Sequence, residues 1–187
     1  MSGILYTAQT VKSDGFWLRA AMLFTLAADY FLLIYIDEFI GLCLFCCAQT
    51  AHHIRFAADG KFLGRAWPLN PRIIIQISAG ALIIILPLPF DTVTKLAAVY
   101  AAGLICAAAA SVKRRMRLKS RQSFFAMLGM VLFLCCDINV MLFNLTGSGA
   151  VYEAAYVLIW VFYLPSQILL SISEEKNNHR EVNQCTS

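Results

Sequence analysis

Two aspartates lie inside long apolar segments of the chain, where an ionisable side chain is energetically unfavourable in contact with lipid. Asp29 lies in the run FTLAADYFLLIYI, and Asp137 lies in the run VLFLCCDINVML. A charge at the centre of a bilayer costs about 3 kcal/mol or more, so such residues usually face a bundle interior and serve a function. Two carboxyl groups that meet in a poorly hydrated space do not easily both ionise, so one can donate a proton while the other stabilises a cation. The pair therefore suits acid chemistry on a substrate carried by the membrane.

Amide, imidazole and phenol groups are predicted to surround this acid pair. Gln49, His52 and His53 lie in the second apolar segment, where only one of the two histidines can point inward and helical spacing from Gln49 does not decide which. Tyr163 and Gln167 recur one turn apart in the last segment, and four-residue spacing keeps them on one helix face. These polar groups and the aspartates could instead only hydrogen-bond helices to each other, and the sequence leaves that alternative open. The predicted substrate-binding residues are Gln49, His52, Asn139, Tyr163 and Gln167.

The composition is that of an integral membrane protein. Of the 187 residues, 60% are hydrophobic and 14% are charged, and the mean hydropathy is +0.69. A soluble domain is about 45–50% apolar and about 25% charged. We therefore predict an all-α, multi-pass membrane helix bundle, located in the cell membrane. The formal net charge of +4 does not indicate nucleic-acid binding, because the basic residues cluster at the ends of the predicted spans.

Apolar runs separated by turn residues predict six transmembrane helices. Each run is long enough to cross a hydrocarbon core about 30 Å thick at about 1.5 Å per residue. A lead-in over 1–15 and a polar tail over 173–187 are predicted to flank the membrane domain, 16–172. The predicted spans are 16–35, 39–57, 70–88, 92–112, 123–144 and 150–172.

The basic residues predict an orientation with both termini in the cytoplasm. In that orientation every Lys and Arg except Lys95 lies on the cytoplasmic side or at the inner end of a span, as the positive-inside rule requires. The densest tract, KRRMRLKSR, could bind nucleic acid or acidic lipid, but beside a membrane span it is interpreted as a topology signal. Asp29 and Asp137 then lie at matching depth, each about 20 Å above the inner boundary. The alanine-rich fourth span is predicted to pack against its neighbours without contributing chemistry.

The seven cysteines indicate neither a disulfide framework nor a metal site. Six of them lie inside apolar runs, unlike those of a loop-rich secreted domain. The chain has no reliable CxxC…CxxC or HExxH pattern of the kind that binds zinc. We predict free thiols that act as small core residues, no metal and no cofactor.

The order of the polar positions resembles the YhhN-like family of integral membrane proteins, whose best-known activity is lysoplasmalogenase. The family pattern is roughly GD-x-x-L, then G-x-x-x-F-x-x-x-H-x-x-Y, then G-x-x-x-F-x-x-S-D, and finally Y-x-x-x-Q. The matching positions are Asp29 and Leu32; Gly41, Phe45, Gln49 and His52; Gly129, Phe133 and Asp137; and Tyr163 and Gln167. Ala28, Gln49, His52 and Cys136 replace the Gly, His, Tyr and Ser of the family. The two N-terminal helices of usual members are expected to be missing.

The resemblance implies an enzyme that hydrolyses the vinyl ether bond of an alkenyl lysophospholipid without a cofactor. The two aspartates would act as general acid and carboxylate stabiliser, in either order. Gln49 and Gln167 would orient water or the glycerol hydroxyl, and His52 or Tyr163 would assist. Two other functions stay open: a proton-coupled carrier that uses both aspartates, and a lipid-binding protein without turnover. The expected partners are the lysophospholipid and membrane lipid, not nucleic acid.

Overall fold

Helices build the whole of the described structure. The computed structural model describes residues 2–57, 85–87 and 89–174, and over these residues it contains five α-helices and no strand. The helices are α1 (Ser2–Tyr30), α2 (Glu38–Ala57), α3 (Thr92–Leu118), α4 (Arg121–Thr146) and α5 (Ala150–Ile172). Each helix packs against the next one described, and α5 also touches α1, so the five form a ring. The predicted span 70–88 lies outside the described residues, apart from 85–87.

Four segments are long and apolar enough to cross a membrane. They are Asp14–Tyr35, Thr92–Leu118, Arg121–Thr146 and Ala150–Ile172, with mean hydropathies of 1.5, 1.7, 2.2 and 1.8. Large apolar side chains such as Leu23, Ile105 and Val157 are exposed on their outer surfaces, as contact with lipid tails requires. α2 is absent from this group because its inward face carries several polar side chains. The chain is a multi-pass helical membrane protein.

Two helices are longer than the sequence predicts. α1 begins at Ser2, so most of the predicted lead-in is helical. α3 continues past the predicted end at 112 to Leu118 and places Arg115 and Arg117 in its last turn. Basic side chains in a last turn interact favourably with the helix dipole, which explains why the basic tract extends the helix. Lys119 then ends α3 in the left-handed region, with φ 52°.

The turn between α1 and α2 has an unusual backbone. A π-helical turn, Phe31–Tyr35, continues α1, and Ile36 follows it with φ 57°. This left-handed conformation is rare for a β-branched residue. The backbone amides of Ile36 and Asp37 both donate to the carbonyl oxygen of Phe31. Asp37 Oδ1 then accepts from the amide of Ile40 at 3.0 Å and caps the start of α2.

Gly129 allows α4 and α5 to approach each other closely. A Cβ atom at this position would lie 2.8 Å from Cγ of Leu170, and 3.1 Å from both the Leu170 amide nitrogen and the Ser166 carbonyl oxygen. Small residues at helix contacts permit such backbone approaches in membrane bundles. This contact fixes α5 against α4 and so fixes the side chains that both helices direct inward.

Candidate functional site

Asp29 projects from the inward face of α1 towards α5. Ala21, Thr25 and Ala28 on the same stretch of α1 are buried, and Asp29 is half-buried one turn after Thr25. Its Oδ2 accepts a hydrogen bond from the Tyr163 hydroxyl of α5. The structure thus brings together two residues that the sequence predicted for one site.

Asp137 projects from α4 towards Tyr100 of α3. Tyr100 is 8% exposed, and its phenol interacts with the Asp137 carboxyl. Within the described part of the chain, neither Asp137 Oδ2 nor the Tyr100 hydroxyl has a partner that meets full hydrogen-bond geometry, so both retain hydrogen-bonding capacity. Tyr100 is part of the buried core, and the prediction that the alanine-rich span contributes packing alone stays a prediction.

The two aspartates share one electrostatic environment. The Asp29 carboxyl interacts electrostatically with the Asp137 carboxyl, and both carboxyls interact electrostatically with the Tyr163 phenol. The buried Cys136 thiol, which precedes Asp137 on α4, is also within electrostatic range of both carboxyls. Each carboxyl therefore has a tyrosine beside it and the other carboxyl within electrostatic range.

A chain of aromatic rings connects the two tyrosines through the interior. Phe45 lies 5.4 Å from Tyr100 and 6.2 Å from Phe133, measured between ring centroids. Phe133 lies 6.2 Å from Tyr163, which in turn is 6.3 Å from Trp160 at the lipid-exposed side. Aromatic side chains bury large apolar surfaces, and Phe45, Tyr100 and Phe133 belong to the packed core, so both tyrosines adjoin a poorly hydrated interior.

Fully buried amide and imidazole groups lie on the inner face of α2. Gln49 is 0% exposed and His52 is 1% exposed. Among the described residues, the side-chain nitrogen and oxygen atoms of both, together with Nε2 of Gln167, lack a hydrogen-bond partner. A buried polar group without a partner costs about 1–3 kcal/mol, and a bound water or substrate is a common explanation. These three side chains are therefore available to bind either.

The structure distinguishes the two adjacent histidines. Nε2 of His53 donates to the carbonyl oxygen of Gly103 on α3, at 3.2 Å. His52 instead stacks on Phe56, with the ring centroids 5.8 Å apart, and is the more deeply buried of the two. His52 is therefore the histidine that can face a ligand in the interior.

Asn139 is not brought together with the acid pair. Its Nδ2 donates to the Cys135 carbonyl oxygen of its own helix, at 2.7 Å. Asn139 also follows Asp137 by two residues, which separates them by about 200° around the helix axis. The side chain is buried and bonded locally, so it has less capacity to bind a substrate than the other predicted residues.

A buried ionic cluster lies near the middle of α1, about four turns before Asp29. Oδ1 of Asp14 lies 3.1 Å from Nε of Arg55 and 3.0 Å from Nη1 of Arg114. Nη2 of Arg55 also donates to the carbonyl oxygen of Ser173, at 2.7 Å. All four residues are buried. The cluster connects α1, α2, α3 and the end of α5, about 22 Å along α1 from Asp29.

Sequence reasoning missed this cluster because it assigned Asp14 to the lead-in and Arg55 and Arg114 to the topology signal. Helical spacing could have indicated the position of Asp14. Asp14, Leu18, Ala21 and Thr25 recur at steps of four, three and four and are all buried, which is the pattern of one inward helix face. The choice of two arginines as partners carries no comparable local signal.

The described residues offer no clear metal site. Over 2–57, 85–87 and 89–174, no three His, Cys, Asp or Glu side chains are grouped to hold an ion. The described cysteines are free thiols: Cys136 is buried, whereas Cys47 and Cys106 are exposed. A thiol behaves as a small apolar group, so an exposed position on a lipid-facing surface is tolerated.

Comparison with known proteins identifies one family whose pattern extends over nearly the whole chain. The model of the YhhN family matches residues 1–173, a range that includes all five described helices and every predicted site residue. This match confirms the resemblance drawn from the order of the motifs. No curated protein and no solved structure matches the chain.

Proposed function

The chain belongs to the YhhN family, and on this premise we propose that it hydrolyses the vinyl ether bond of alkenyl lysophospholipids within the membrane. Two acid–phenol pairs around one aromatic-lined interior support this function most directly: Asp29 with Tyr163, and Asp137 with Tyr100. Such an interior supplies a proton donor and a carboxylate and accommodates an alkenyl chain. The products are a fatty aldehyde and a glycerophospho-headgroup.

The two aspartates take different roles in this reaction. We assign the carboxylate role to Asp29, because its Oδ2 already accepts a hydrogen bond from Tyr163. We assign proton donation to Asp137, because its Oδ2 has no hydrogen-bond partner among the residues described and can face the substrate. A positioned general acid of this kind accelerates a reaction by about 10²–10⁴-fold.

The reaction then proceeds through an oxocarbenium ion. The π electrons of the vinyl group take the Asp137 proton at the outer carbon, and the inner carbon becomes cationic while conjugated to the ether oxygen. The Asp29 carboxylate stabilises that cation. Water held by the amide of Gln49 or Gln167 adds to the cationic carbon and returns a proton to Asp137. The hemiacetal then breaks its bond to the glycerol oxygen, which takes the hydroxyl proton as the aldehyde leaves.

A matched pair of lipids tests this function. Purified protein is incubated with an alkenyl lysophospholipid, and separately with the acyl lysophospholipid of the same headgroup and chain length, and released aldehyde is measured. We expect aldehyde from the alkenyl lipid alone. Asp29→Asn and Asp137→Asn should each lower its release by at least about 100-fold while the protein still inserts into the membrane.

Three outcomes would contradict either the proposed hydrolysis or the role of the aspartates in it. Retained turnover in both variants would remove the aspartates from the reaction. Transport of a solute without cleavage would instead indicate a proton-coupled carrier. Saturable lipid binding without any product would indicate a non-catalytic lipid-binding protein.

We also propose that the chain crosses the cell membrane six times, with both of its ends in the cytoplasm. The distribution of basic residues supports this topology, since Lys95 alone falls on the outer side. Reporters whose activity depends on the side of the membrane can be fused to each end of the chain. Reporter activity on opposite sides would indicate an odd number of spans and contradict the topology.

A further inference from the structure

A basic cleft opens where α3 ends and α4 begins. Its volume is about 350 Å³, and it is lined by Arg115, Lys119, Arg121, Phe124 and Phe125. Asp137 lies about 24 Å further along α4 than Arg121. The cleft is therefore separate from the acid pair, and the proposed hydrolysis does not use it.

The cleft lies at the level where membrane meets water. The two segments that it joins, Thr92–Leu118 and Arg121–Thr146, are both candidate membrane spans. Met116, Leu118 and Phe124 are exposed around it and provide apolar surface on the membrane side. A ligand in the cleft would thus contact charged side chains with one end and lipid-level apolar side chains with the other.

Local contacts hold part of the cleft in place. Nη1 of Arg115 donates to the Ser120 carbonyl oxygen at 3.0 Å, and its guanidinium lies 5.5 Å from the centre of the Phe124 ring. Lys119, with φ 52°, turns the chain between the two helices. These contacts fix one wall of the cleft before any ligand binds.

The charge of the lining indicates the sign of the ligand. Three of the five lining residues are cationic, and none of the five is acidic. Like charges that converge on one concave surface repel each other and attract anions. An Arg guanidinium matches a phosphate group with two parallel hydrogen bonds. The volume is at the lower end of the range for ligand pockets, about 300–1,000 Å³, which fits a headgroup rather than a whole lipid.

We propose that this cleft binds the phosphate of an anionic membrane phospholipid, with the phenyl rings of Phe124 and Phe125 against its glycerol and upper acyl chains. Basic pockets beside transmembrane helices have this role in other membrane proteins. The basic tract then has a specific ligand in addition to its effect on orientation. Binding at this cleft is independent of the hydrolysis proposed above, since neither aspartate contributes to it.

Native mass spectrometry of the full chain in detergent tests the site. The protein is titrated with phosphatidylglycerol, with phosphatidylcholine and with water-soluble glycerol phosphate. The double variant Arg115→Gln/Arg121→Gln removes two charges from the cleft. The double variant Lys113→Gln/Arg117→Gln removes two charges from the same tract outside the cleft lining. Size-exclusion profiles establish that both variants remain folded.

We expect phosphatidylglycerol to bind more tightly than phosphatidylcholine, and the cleft variant to lose about tenfold or more in its affinity. The control variant should lose clearly less, and Arg115→Lys/Arg121→Lys, which keeps both charges but lacks the guanidinium geometry, should bind with an affinity between those of the wild type and the Gln variant. Equal losses in the cleft and control variants would overturn the site in favour of general surface charge. Binding of glycerol phosphate as tight as that of phosphatidylglycerol would overturn the lipid as ligand.

Discussion

The Tyr163 hydroxyl on α5 donates a hydrogen bond to Oδ2 of Asp29 on α1 and joins the first and last described helices. Of the described helix pairs that touch, α1 and α5 have the smallest contact. Among the described residues, α1 and α5 therefore close the ring of helices with only a small contact, of which the Asp29–Tyr163 hydrogen bond is part.

Replacing Tyr163 with Phe should reduce turnover without unfolding the protein. The substitution removes one hydroxyl, and hydrogen bonds to charged groups contribute about 1.5–3 kcal/mol. We expect kcat/KM for aldehyde release to fall by about 10- to 100-fold. Steady-state kinetics on an alkenyl lysophospholipid measures the change.

Tyr156→Phe is the matched control for this variant. Tyr156 lies on the same helix but is 53% exposed, and no hydrogen bond to an aspartate involves it among the described contacts. We expect its turnover to stay within about twofold of the wild type. Equal losses at Tyr156 and Tyr163 would show that the bond to Asp29 has no particular role.

Removing Arg55 should destabilise the bundle strongly. Its side chain is fully buried and bonded to both Asp14 and the Ser173 carbonyl oxygen. Removal of one partner from a buried pair leaves an uncompensated charge and costs about 3–5 kcal/mol. We expect Arg55→Ala to lower the free energy of unfolding in mixed micelles by an amount of this order.

An exposed ion pair that involves α1 supplies the comparison. Nη2 of Arg19 lies 3.3 Å from Oε1 of Glu174, but its side chain is 75% exposed. Surface pairs contribute about 0–1 kcal/mol, so Arg19→Ala should change the unfolding free energy little. If both alanine variants lost the same stability, burial of the Asp14 cluster would have no special energetic weight.

Helix positions could be predicted from the sequence because hydropathy and helical period are local properties. The predicted spans 39–57 and 150–172 correspond to α2 and α5, with bounds that differ by one residue at most. An inward direction for Gln49 also followed from its place in an apolar helix, whereas the sequence left open which of His52 and His53 points inward. Gln49 and His52 are both fully buried in the structure, although their roles in binding stay predictions.

The contacts between polar side chains of different helices could not be predicted from the sequence, because they depend on how the helices are rotated relative to each other. Tyr100 sits in an alanine-rich helix, where nothing in its neighbours marks it as the partner of Asp137. Asp14 and Arg114 are 100 residues apart, and their side chains meet only once α2 has packed against both α1 and α3. Asn139 was predicted to contact the substrate, but its side-chain amide donates to a backbone carbonyl oxygen of its own helix. A polar residue in an apolar helix therefore does not always mark a binding site.

Gly129→Ala should weaken the contact between α4 and α5. The added methyl group would meet the Leu170 side chain and two backbone atoms of α5 within about 3 Å, and backbone cannot move aside as a side chain can. Overpacking of this kind costs about 1–3 kcal/mol. Val131→Ile also adds one carbon to α4, at a position that is 37% exposed, and should be neutral. Equal unfolding free energies for the two variants would contradict the close approach at Gly129.

The start of α3 should respond to acid. Hydrogen bonds from the Thr94 hydroxyl and amide, and then from the Val93 amide, hold the pKa of Asp91 below its ordinary value of 3.8. A lowered folded pKa contributes stability above the unfolded value, and that stability is lost as the pH falls through the folded value. Thermal unfolding of the wild type and of Asp91→Asn, which caps without titrating, should therefore diverge below about pH 4. Parallel curves at every pH would show that the cap does not titrate.

Gln49→Leu should raise stability and lower activity together. The buried Gln49 amide has no hydrogen-bond partner in the described ranges, so an apolar side chain of similar size should add about 1–3 kcal/mol to the free energy of unfolding. The same change removes a group proposed to hold water, so aldehyde release should fall.

Asn139→Leu is the control, because the Asn139 amide is already bonded to Cys135, and its gain in stability should be smaller. A stabilised Gln49→Leu protein with unchanged turnover would show that this amide binds neither water nor substrate, whereas a destabilised one would show that the amide has a partner in the folded protein.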